Sequence, residues 1–325
     1  MLRLVWVLLL VGCVGPSRFE FVEPAMGTTF RLVLYAEDEA QAGRAAAAAF
    51  ARIHALDGAL SDYQQDSELS RLSASSRDAA GVPRLASADL AAVLAAAAAV
   101  SAQTEGAFDV TVGPYVRLWR RAARQGVLPS AEHLAQARSS VGWQLVDLDG
   151  VAGTVTLRAR DMRLDLGGIA KGYALDEALA TLGQHGVRRA LVDGGGDVAV
   201  AGPPPGAPGW RVALDTGGGP EGVVLLAHAA CATSGDTARF VEVGGVRYSH
   251  VVDPRTGLGV SSGQAATVIA PSGMLADAWA SALCVLEVDA GLALVESREG
   301  LEARVWQKEA RVPCDTSGFT VRMVR

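Results

Sequence analysis

The feature that most constrains the fold is a short strand-like run that passes through two glycines into a helix, within Arg163–Glu177. Gly167 and Gly168 carry no Cβ, so a ligand can lie close against their backbone. A helix that opens after such a turn directs N–H groups and a positive dipole end at it, which favours phosphate. Asp165 precedes the turn, and Lys171 lies just inside the helix. The alternative is an ordinary strand-to-helix connection whose helix is capped by Asp165.

A polar pair lies on an otherwise apolar segment, residues 276–286, which is predicted to be a helix. Asp277 and Ser281 are four residues apart and therefore share one helix face. Burying a carboxylate and a hydroxyl among apolar residues is costly unless both find partners. Both are hard oxygen ligands suited to Mg²⁺, which completes its shell with phosphate and water. The alternative is an Asp cap at the helix N-terminus and a Ser bonded to the preceding turn.

One predicted loop brings together three side chains of catalytic type within six positions, namely His250, Asp253 and Arg255. The loop follows residues 240–250, whose Gly-Gly turn predicts a β-hairpin. Histidine is the side chain best matched to proton transfer near neutral pH. The other four histidines stand in helix-like or strand-like contexts without such company. His250 is therefore the candidate general base, and the alternative is a structural histidine.

Two further candidates lie in connecting segments. Tyr63 is an aromatic residue within a polar loop, which suits stacking against a flat ring but also fits a plain loop. Asp109 lies between two predicted helices, flanked by small residues. Its carboxylate could accept hydrogen bonds from a ring N–H or a ribose, or could equally cap a turn.

The N-terminus has the pattern of an export signal. Arg3 supplies a positive charge, an apolar run follows, and residues 10–13 (Leu-Val-Gly-Cys) have the form of a lipobox. The apolar run is too short for a permanent membrane span. We expect Cys13 to be lipidated and residues 1–18 to act as signal peptide and tether, so that residues 19–325 form a single domain anchored on the outer side of the cytoplasmic membrane. The alternatives are a plain secretory signal and a buried N-terminal strand.

Composition limits the partners of this domain. The chain has 325 residues, half of them apolar, and a formal net charge of −6. That length allows one large domain or two lobes with a sizeable core. The acidic balance argues against a nucleic-acid partner.

Residue periodicity predicts the remaining elements. Helices are predicted for residues 36–60, for 86–104 and from the glycine turn to about residue 186. Strands are predicted for residues 31–35, 143–148, 154–159, 163–166, 210–215, 223–227 and 265–271, with closing strands within 304–324.

Eight separate motifs occur in a characteristic order: Met26–Thr28, Leu60–Ser70, Phe108–Pro114, Leu164–Asp176, Gly195–Asp197, Thr233–Gly235, Tyr248–Gly257 and Ala276–Leu283. As an ordered set they resemble the FAD:protein FMN transferase family, the ApbE-like flavin transferases. The resemblance runs from about Phe21 to the C-terminus. It implies an α+β fold of two lobes, with mixed or antiparallel sheets flanked by helices and an FAD cleft between the lobes.

The resemblance also implies roles for individual residues. Positions that hold FAD in the family are matched here by Met26, Tyr63, Ala107, Phe108, Asp109, Asp165, Lys171 and Val251. Magnesium would be held by the backbone carbonyl of Gly168 together with Asp277 and Ser281, of which Ser281 stands where the family more often has Thr. Ala280 occupies a position that is acidic in some members, which would remove one metal ligand.

The implied activity is Mg²⁺-dependent transfer of the FMN half of FAD to a Ser or Thr hydroxyl of a target protein, with release of AMP. Targets in the family are flavin-bearing subunits of membrane redox complexes. Two other functions stay open at the level of sequence. If water attacks in place of the target hydroxyl, the protein is a Mg²⁺-dependent FAD pyrophosphatase that yields FMN and AMP. If no reaction is catalysed, it is a membrane-tethered FAD-binding protein.

Overall fold

The computed structural model describes residues 15–214, 222–235, 240–243, 245–307, 313–320 and 322–323. The lipobox at Cys13 and Gly244 of the predicted hairpin turn lie outside the described residues. None of the described helices combines the length and the hydropathy needed to cross a membrane. The division into a tether, residues 1–18, and a single domain, residues 19–325, stays a prediction.

The described helices begin mostly at Ser or Asp caps, whose side chains accept a hydrogen bond from the first helical turn, as Ser67 and Ser87 do. They are α1 Glu39–Leu60, α2 Glu68–Ala79, α3 Ala88–Gln103, α4 Gly113–Gln125, α5 Ala131–Arg138, α6 Ala170–Gln184, α7 Gly273–Leu283 and α8 Val288–Glu296.

The described strands are short and mostly apolar. They are β1 Ser17–Ala25, β2 Thr28–Ala36, β3 Arg84–Leu85, β4 Val146–Asp149, β5 Thr154–Leu157, β6 Ala190–Gly194, β7 Asp197–Val200, β8 Trp210–Leu214, β9 Gly222–Leu226, β10 Ala229–Gly235, β11 Phe240–Val243, β12 Val246–Ser249, β13 Gln264–Ala270, β14 Glu302–Gln307, β15 Pro313–Asp315 and β16 Arg322–Met323.

Within the described residues, eight strands form one large antiparallel sheet in the order β1-β2-β6-β7-β10-β13-β14-β15. Because side chains alternate across a strand, this sheet contributes to two cores. Leu32 and Leu34 of β2 belong to the main core with the helices, whereas Val33 belongs to a second core with β8 and β9. The large sheet therefore lies between a helical layer and a smaller sheet, and the predicted α+β class is confirmed.

The long helices α1 and α6 pack closely because α1 presents alanines to the core. Ala42, Ala45, Ala46 and Ala49 of α1 are buried. The helix predicted for residues 36–60 is therefore confirmed, as are those predicted for 86–104 and after the glycine turn.

Two predicted strands are wrong in whole or in part. Residues 163–166 form no strand and make only an isolated parallel bridge, between Val112 and Arg163. The strand predicted for residues 143–148 opens as a single 3₁₀ turn, Trp143–Leu145, and becomes extended only in β4. Apolar periodicity over so few residues does not distinguish a strand from a turn packed against the same core.

Helices α6 and α7 touch backbone to backbone. A Cβ added at Gly172 would overlap the carbonyl of Gly273, whereas one added at Gly183, on the same helix, would meet nothing within 4 Å. We expect Gly172→Ala to destabilise the protein by about 2 kcal/mol or more, because two backbones cannot yield as a side chain can. Gly183→Ala should instead stabilise it by about 0.5 kcal/mol through helix propensity. Denaturant unfolding of both variants measures the difference, and equal effects would contradict the close contact.

Candidate active site

The glycine turn before α6 is organised by Asp165. Oδ1 of Asp165 accepts a hydrogen bond from the N–H of Gly167 at 2.9 Å, so this carboxylate closes the turn and does not cap the helix. Burial and the nearby charge of Asp62 raise the pKa of Asp165. The backbone N–H of Lys171, in the first turn of α6, has no hydrogen-bond acceptor among the described residues. The helix thus opens with an uncommitted donor, as expected for an anion site.

Asp277 lies in the interior of α7, 4% exposed, and α7 itself is capped by Ser272. Its Oδ2 accepts hydrogen bonds from the backbone N–H of Gly172 at 3.2 Å and from Nζ of Lys171 at 3.3 Å. The interpretation of Asp277 as a cap of its own helix is therefore wrong, since it caps α6 across the helix pair. Burial is the main reason why the pKa of Asp277 is raised to about 6.

Lys171 bridges two carboxylates. Its Nζ lies 2.6 Å from Oδ2 of Asp197 and 3.3 Å from Oδ2 of Asp277. Burial by itself lowers the pKa of Lys171, but the charges of Asp277 and Asp197 hold it above its ordinary value. Asp197 also accepts the N–H of Thr233 at 3.2 Å, which fixes it at the start of β7. The ammonium is thus held at the N-terminal end of α6, where it can face a ligand anion.

Gly168 and Ser281 are in contact, as the predicted metal site requires. A Cβ built on Gly168 would lie 2.7 Å from Oγ of Ser281 and 3.4 Å from Cε2 of Phe108, so only glycine fits there. Three oxygens of the predicted metal ligands accept no hydrogen bond from any described residue: the carbonyl of Gly168, Oδ1 of Asp277 and Oγ of Ser281. The carbonyl of Gly168 is left open because Gly172, four residues on, donates to Asp277 instead.

These three oxygens fit the predicted magnesium ion. A carboxylate, a hydroxyl and a carbonyl are hard ligands, and three protein oxygens leave positions for phosphate and water. The hydroxyl of Ser281 does not donate to the preceding turn, unlike that of Ser101, which bonds the carbonyl four residues back at 2.8 Å. Among the described residues no group of three or more His, Cys, Asp or Glu side chains could hold a metal, so a carboxylate-rich or thiolate site is not an alternative there.

Arg120 of α4 is a site residue that sequence reasoning missed. Its guanidinium pairs with Asp62 at 2.6 Å and with Asp165 at 3.2 Å, and lies 4.2 Å from the ring centroid of Tyr63. The ring of Tyr63 is 72% exposed, so the Arg120 contact leaves much of it open to solvent. An arginine on a helix rich in arginines gives no sequence signal, because its partners are 45 or more residues away.

Asp109 holds together the loop that carries Ala107 and Phe108. Its Oδ1 accepts the N–H and the hydroxyl of Thr111, both at 2.7 Å, and its Oδ2 accepts the N–H of Trp143 at 2.8 Å. Burial raises the pKa of this carboxyl above its ordinary value. The geometry matches the turn-capping alternative, and contact between Asp109 and FAD stays a prediction.

His250 follows β12 on an exposed bend whose flanks are firmly bonded. Ser249 donates its N–H to Val260 at 2.7 Å, and Val251 donates its N–H to Oγ of Ser249 at 3.0 Å. Asp253 and Arg255 pair with each other at 2.9 Å, and Arg255 also donates to the carbonyl of Val285 at 3.3 Å, which ties the loop to the residues after α7. The exposed histidine is therefore presented to solvent from a fixed backbone.

The last two predicted residues lie at the edge of the main core. Met26 occupies the β1–β2 turn with a positive φ of 50° and donates its N–H to Asp57 at 3.1 Å. Val251 is half-buried. Both pack against the core cluster that contains Phe108, so the structure brings these three residues to one core.

Comparison with known proteins identifies the family. The model of the ApbE family matches residues 26–305. An FAD:protein FMN transferase of Vibrio cholerae is 30% identical over 302 residues, covering 90% of this chain and 89% of that protein. One of Haemophilus influenzae is 35% identical over 254 residues, covering 74% and 72%. The apo form of the flavinyl transferase ApbE of Pseudomonas stutzeri matches with a TM-score of 0.81 at 31% identity, covering 94% of this chain and 96% of that one.

Fold and sequence together define a transferase enzyme of the flavin transferase type. The chain belongs to the ApbE family.

Proposed function

We propose that this protein transfers the FMN half of FAD to a Ser or Thr hydroxyl of an acceptor protein and releases AMP. The proposal draws on the names of its relatives, which are FAD:protein FMN transferases. The observation that carries it is that Gly168, Asp277 and Ser281, each with an uncommitted oxygen, lie where α6 and α7 pack together, beside the open N-terminus of α6. That combination suits a diphosphate with a bound divalent cation.

In this reaction the acceptor oxygen forms a bond to the phosphorus of the FMN half. The bond from that phosphorus to the bridging oxygen breaks, and the bridging oxygen leaves with AMP. Magnesium held by Gly168, Asp277 and Ser281 would neutralise charge on the diphosphate. The N–H of Lys171 and its ammonium stabilise the same negative charge from the protein side.

His250 is the proposed general base, which accepts the proton of the attacking hydroxyl. Such a base contributes roughly 10²–10⁴-fold to the rate of proton-coupled steps. Its exposure supports the role, because the acceptor is a protein that must reach it from solvent. Tyr63, Met26, Phe108 and Val251 would hold the rings of FAD, and the largely open ring of Tyr63 suits stacking.

We further propose that the protein is exported and anchored through Cys13, with an acceptor that is a flavin-bearing subunit of a membrane redox complex. The lipobox at residues 10–13 supports the anchor. The net charge of −6 supports the expectation that nucleic acid is not a partner. Metabolic labelling with a fatty acid, compared between the wild type and Cys13→Ala, tests the anchor directly.

The transfer itself is tested by incubating the purified protein with FAD, MgCl₂ and a candidate acceptor subunit. We expect flavin fluorescence on the acceptor band of a denaturing gel, equimolar AMP, and loss of both when EDTA replaces MgCl₂. AMP and FMN without a labelled acceptor would contradict transfer and indicate hydrolysis. Bound FAD with no product would indicate a binding protein.

A further inference from the structure

Two carboxylates join helices α6 and α7, and each helix supplies one of them to the other. Asp277 of α7 accepts the N–H of Gly172 near the start of α6. Asp176 of α6 accepts the N–H of Gly273 at 2.6 Å and that of Met274 at 2.9 Å, at the start of α7. Between these bonds the backbones of Gly172 and Gly273 touch, as the overlap of an added Cβ shows. In each helix, N–H groups of the first turn thus donate to a carboxylate on the other helix.

This junction lies between the two halves of the proposed metal site. Gly168 precedes α6 by two residues, whereas Asp277 and Ser281 lie on α7, about one and two turns after Gly273. An α-helix is rigid over two turns, so the point where α7 meets α6 sets where both side chains stand relative to Gly168. The only side-chain acceptor that holds the Gly273 end of α7 to α6, within the described residues, is Asp176.

We propose that Asp176 is a positioning residue for the metal site, and that its two hydrogen bonds hold Asp277 and Ser281 at the distance from Gly168 that Mg²⁺ requires. This inference rests on the proposed metal site. Asp176 does not act as a ligand, since its carboxylate is committed to Gly273 and Met274. Groups that hydrogen-bond metal ligands directly contribute roughly 10–100-fold to metal affinity. Asp176 acts through the backbone of the helix that carries the ligands, so the lower end of that range is expected.

Asp176 is not the only side chain that caps α7. Helix α7 has its own cap, because Oγ of Ser272 accepts the N–H of Leu275 at 3.3 Å. Burial also raises the pKa of Asp176 to about 6, so its ionised form is disfavoured at this place in the fold. Asp176 takes two N–H groups that Ser272 does not reach, and it does so from the neighbouring helix, so its bonds link the two helices between which the proposed ligand site lies.

Calorimetric titration of the full chain with MgCl₂ tests the inference without relying on activity. Asp176→Asn keeps the size of the side chain but offers one acceptor oxygen where the carboxylate offers two, so one of the two N–H bonds is lost. We expect it to bind Mg²⁺ at least about tenfold more weakly than the wild type. Asp176→Ala, which removes both bonds, should bind at least as weakly. The matched control is Ser272→Ala, which weakens the cap of the same helix without touching the link to α6 and should leave Mg²⁺ affinity unchanged.

A second measurement separates positioning from stability. With FAD and acceptor present, the Mg²⁺ concentration for half-maximal transfer should rise about tenfold in Asp176→Asn, while the rate at saturating Mg²⁺ recovers. If Asp176 has a purely structural role, fewer molecules of Asp176→Asn will be competent, but those molecules will bind Mg²⁺ with unchanged affinity. That result would overturn the inference. An Mg²⁺ affinity of Asp176→Asn within twofold of the wild type would overturn it as well. If the wild type binds no Mg²⁺, both the proposed metal site and this inference are wrong. If the wild type and Asp176→Asn bind Mg²⁺ equally well, only this inference is wrong.

Discussion

Asp277→Ala is expected to lower Mg²⁺-dependent flavin transfer by about a hundredfold or more, because the variant loses the single charged oxygen of the proposed metal site. Ser281 and the Gly168 carbonyl would remain, but both are neutral and neither offsets the charge of the ion. The substitution also leaves the N–H of Gly172 without its acceptor and Lys171 with Asp197 as its one carboxylate partner. The rate of acceptor labelling as a function of MgCl₂ concentration is the measurement.

The best control for this variant is Asp277→Asn. It keeps the size of the side chain and one acceptor oxygen, but it loses the charge that binds the cation. We expect an intermediate rate and a Mg²⁺ midpoint shifted to higher concentration. A normal midpoint in both variants would mean that the metal is held elsewhere. Thermal unfolding of each variant shows whether the loss of the cap on α6 has also lowered stability, since lost caps typically cost about 1 kcal/mol.

His250→Ala is expected to slow transfer at least tenfold while FAD and Mg²⁺ still bind. The residue is exposed on a bend whose backbone is held by bonds among Ser249, Val251 and Val260, so truncating its side chain leaves these backbone bonds in place. A defect confined to the chemical step is therefore the specific expectation. Single-turnover labelling of the acceptor, together with FAD binding measured by flavin fluorescence, resolves the two quantities.

His54→Ala provides a matched control for this experiment. His54 is also exposed and hydrogen-bonds Glu23 at 2.9 Å, on a helix outside the site. Its replacement should leave labelling unchanged. If His250→Ala labels the acceptor at the wild-type rate, His250 is not the base. Because Asp277→Ala should move the Mg²⁺ midpoint and His250→Ala should not, the two variants also distinguish metal binding from proton transfer.

The candidate site could be recognised from sequence only where its residues are local. The glycine pair at 167 and 168 and the spacing of Asp277 and Ser281 are visible within one turn of chain, and the structure places Ser281 against Gly168 as predicted. No role was assigned to Arg120, which has no local pattern that differs from that of a surface residue, or to Asp197, whose Gly195–Asp197 motif does not reveal its partner. Their roles arise from contacts with Asp165 and Lys171, which lie 45 and 26 residues away.

The sequence also left several alternatives undecided that only packing could settle. Residues 163–166 look like a strand because Leu164 and Leu166 alternate with polar residues, yet both leucines are buried in an irregular segment. Asp109 had two equal interpretations, and its three bonds to Thr111 and Trp143 correspond to the structural one.

By itself, therefore, the sequence predicted the long helices α1, α3 and α6, the glycine turn and candidate residues for a diphosphate and a cation, because these depend on side-chain type and short-range periodicity. Tertiary structure alone decided which helix each carboxylate caps. Asp277 bonds Gly172 at a separation of 105 residues, and Asp176 bonds Gly273 at a separation of 97. The physical reason is that a hydrogen bond joins atoms about 3 Å apart in space, whatever their separation along the chain. Its partner is therefore known only once the helices have packed.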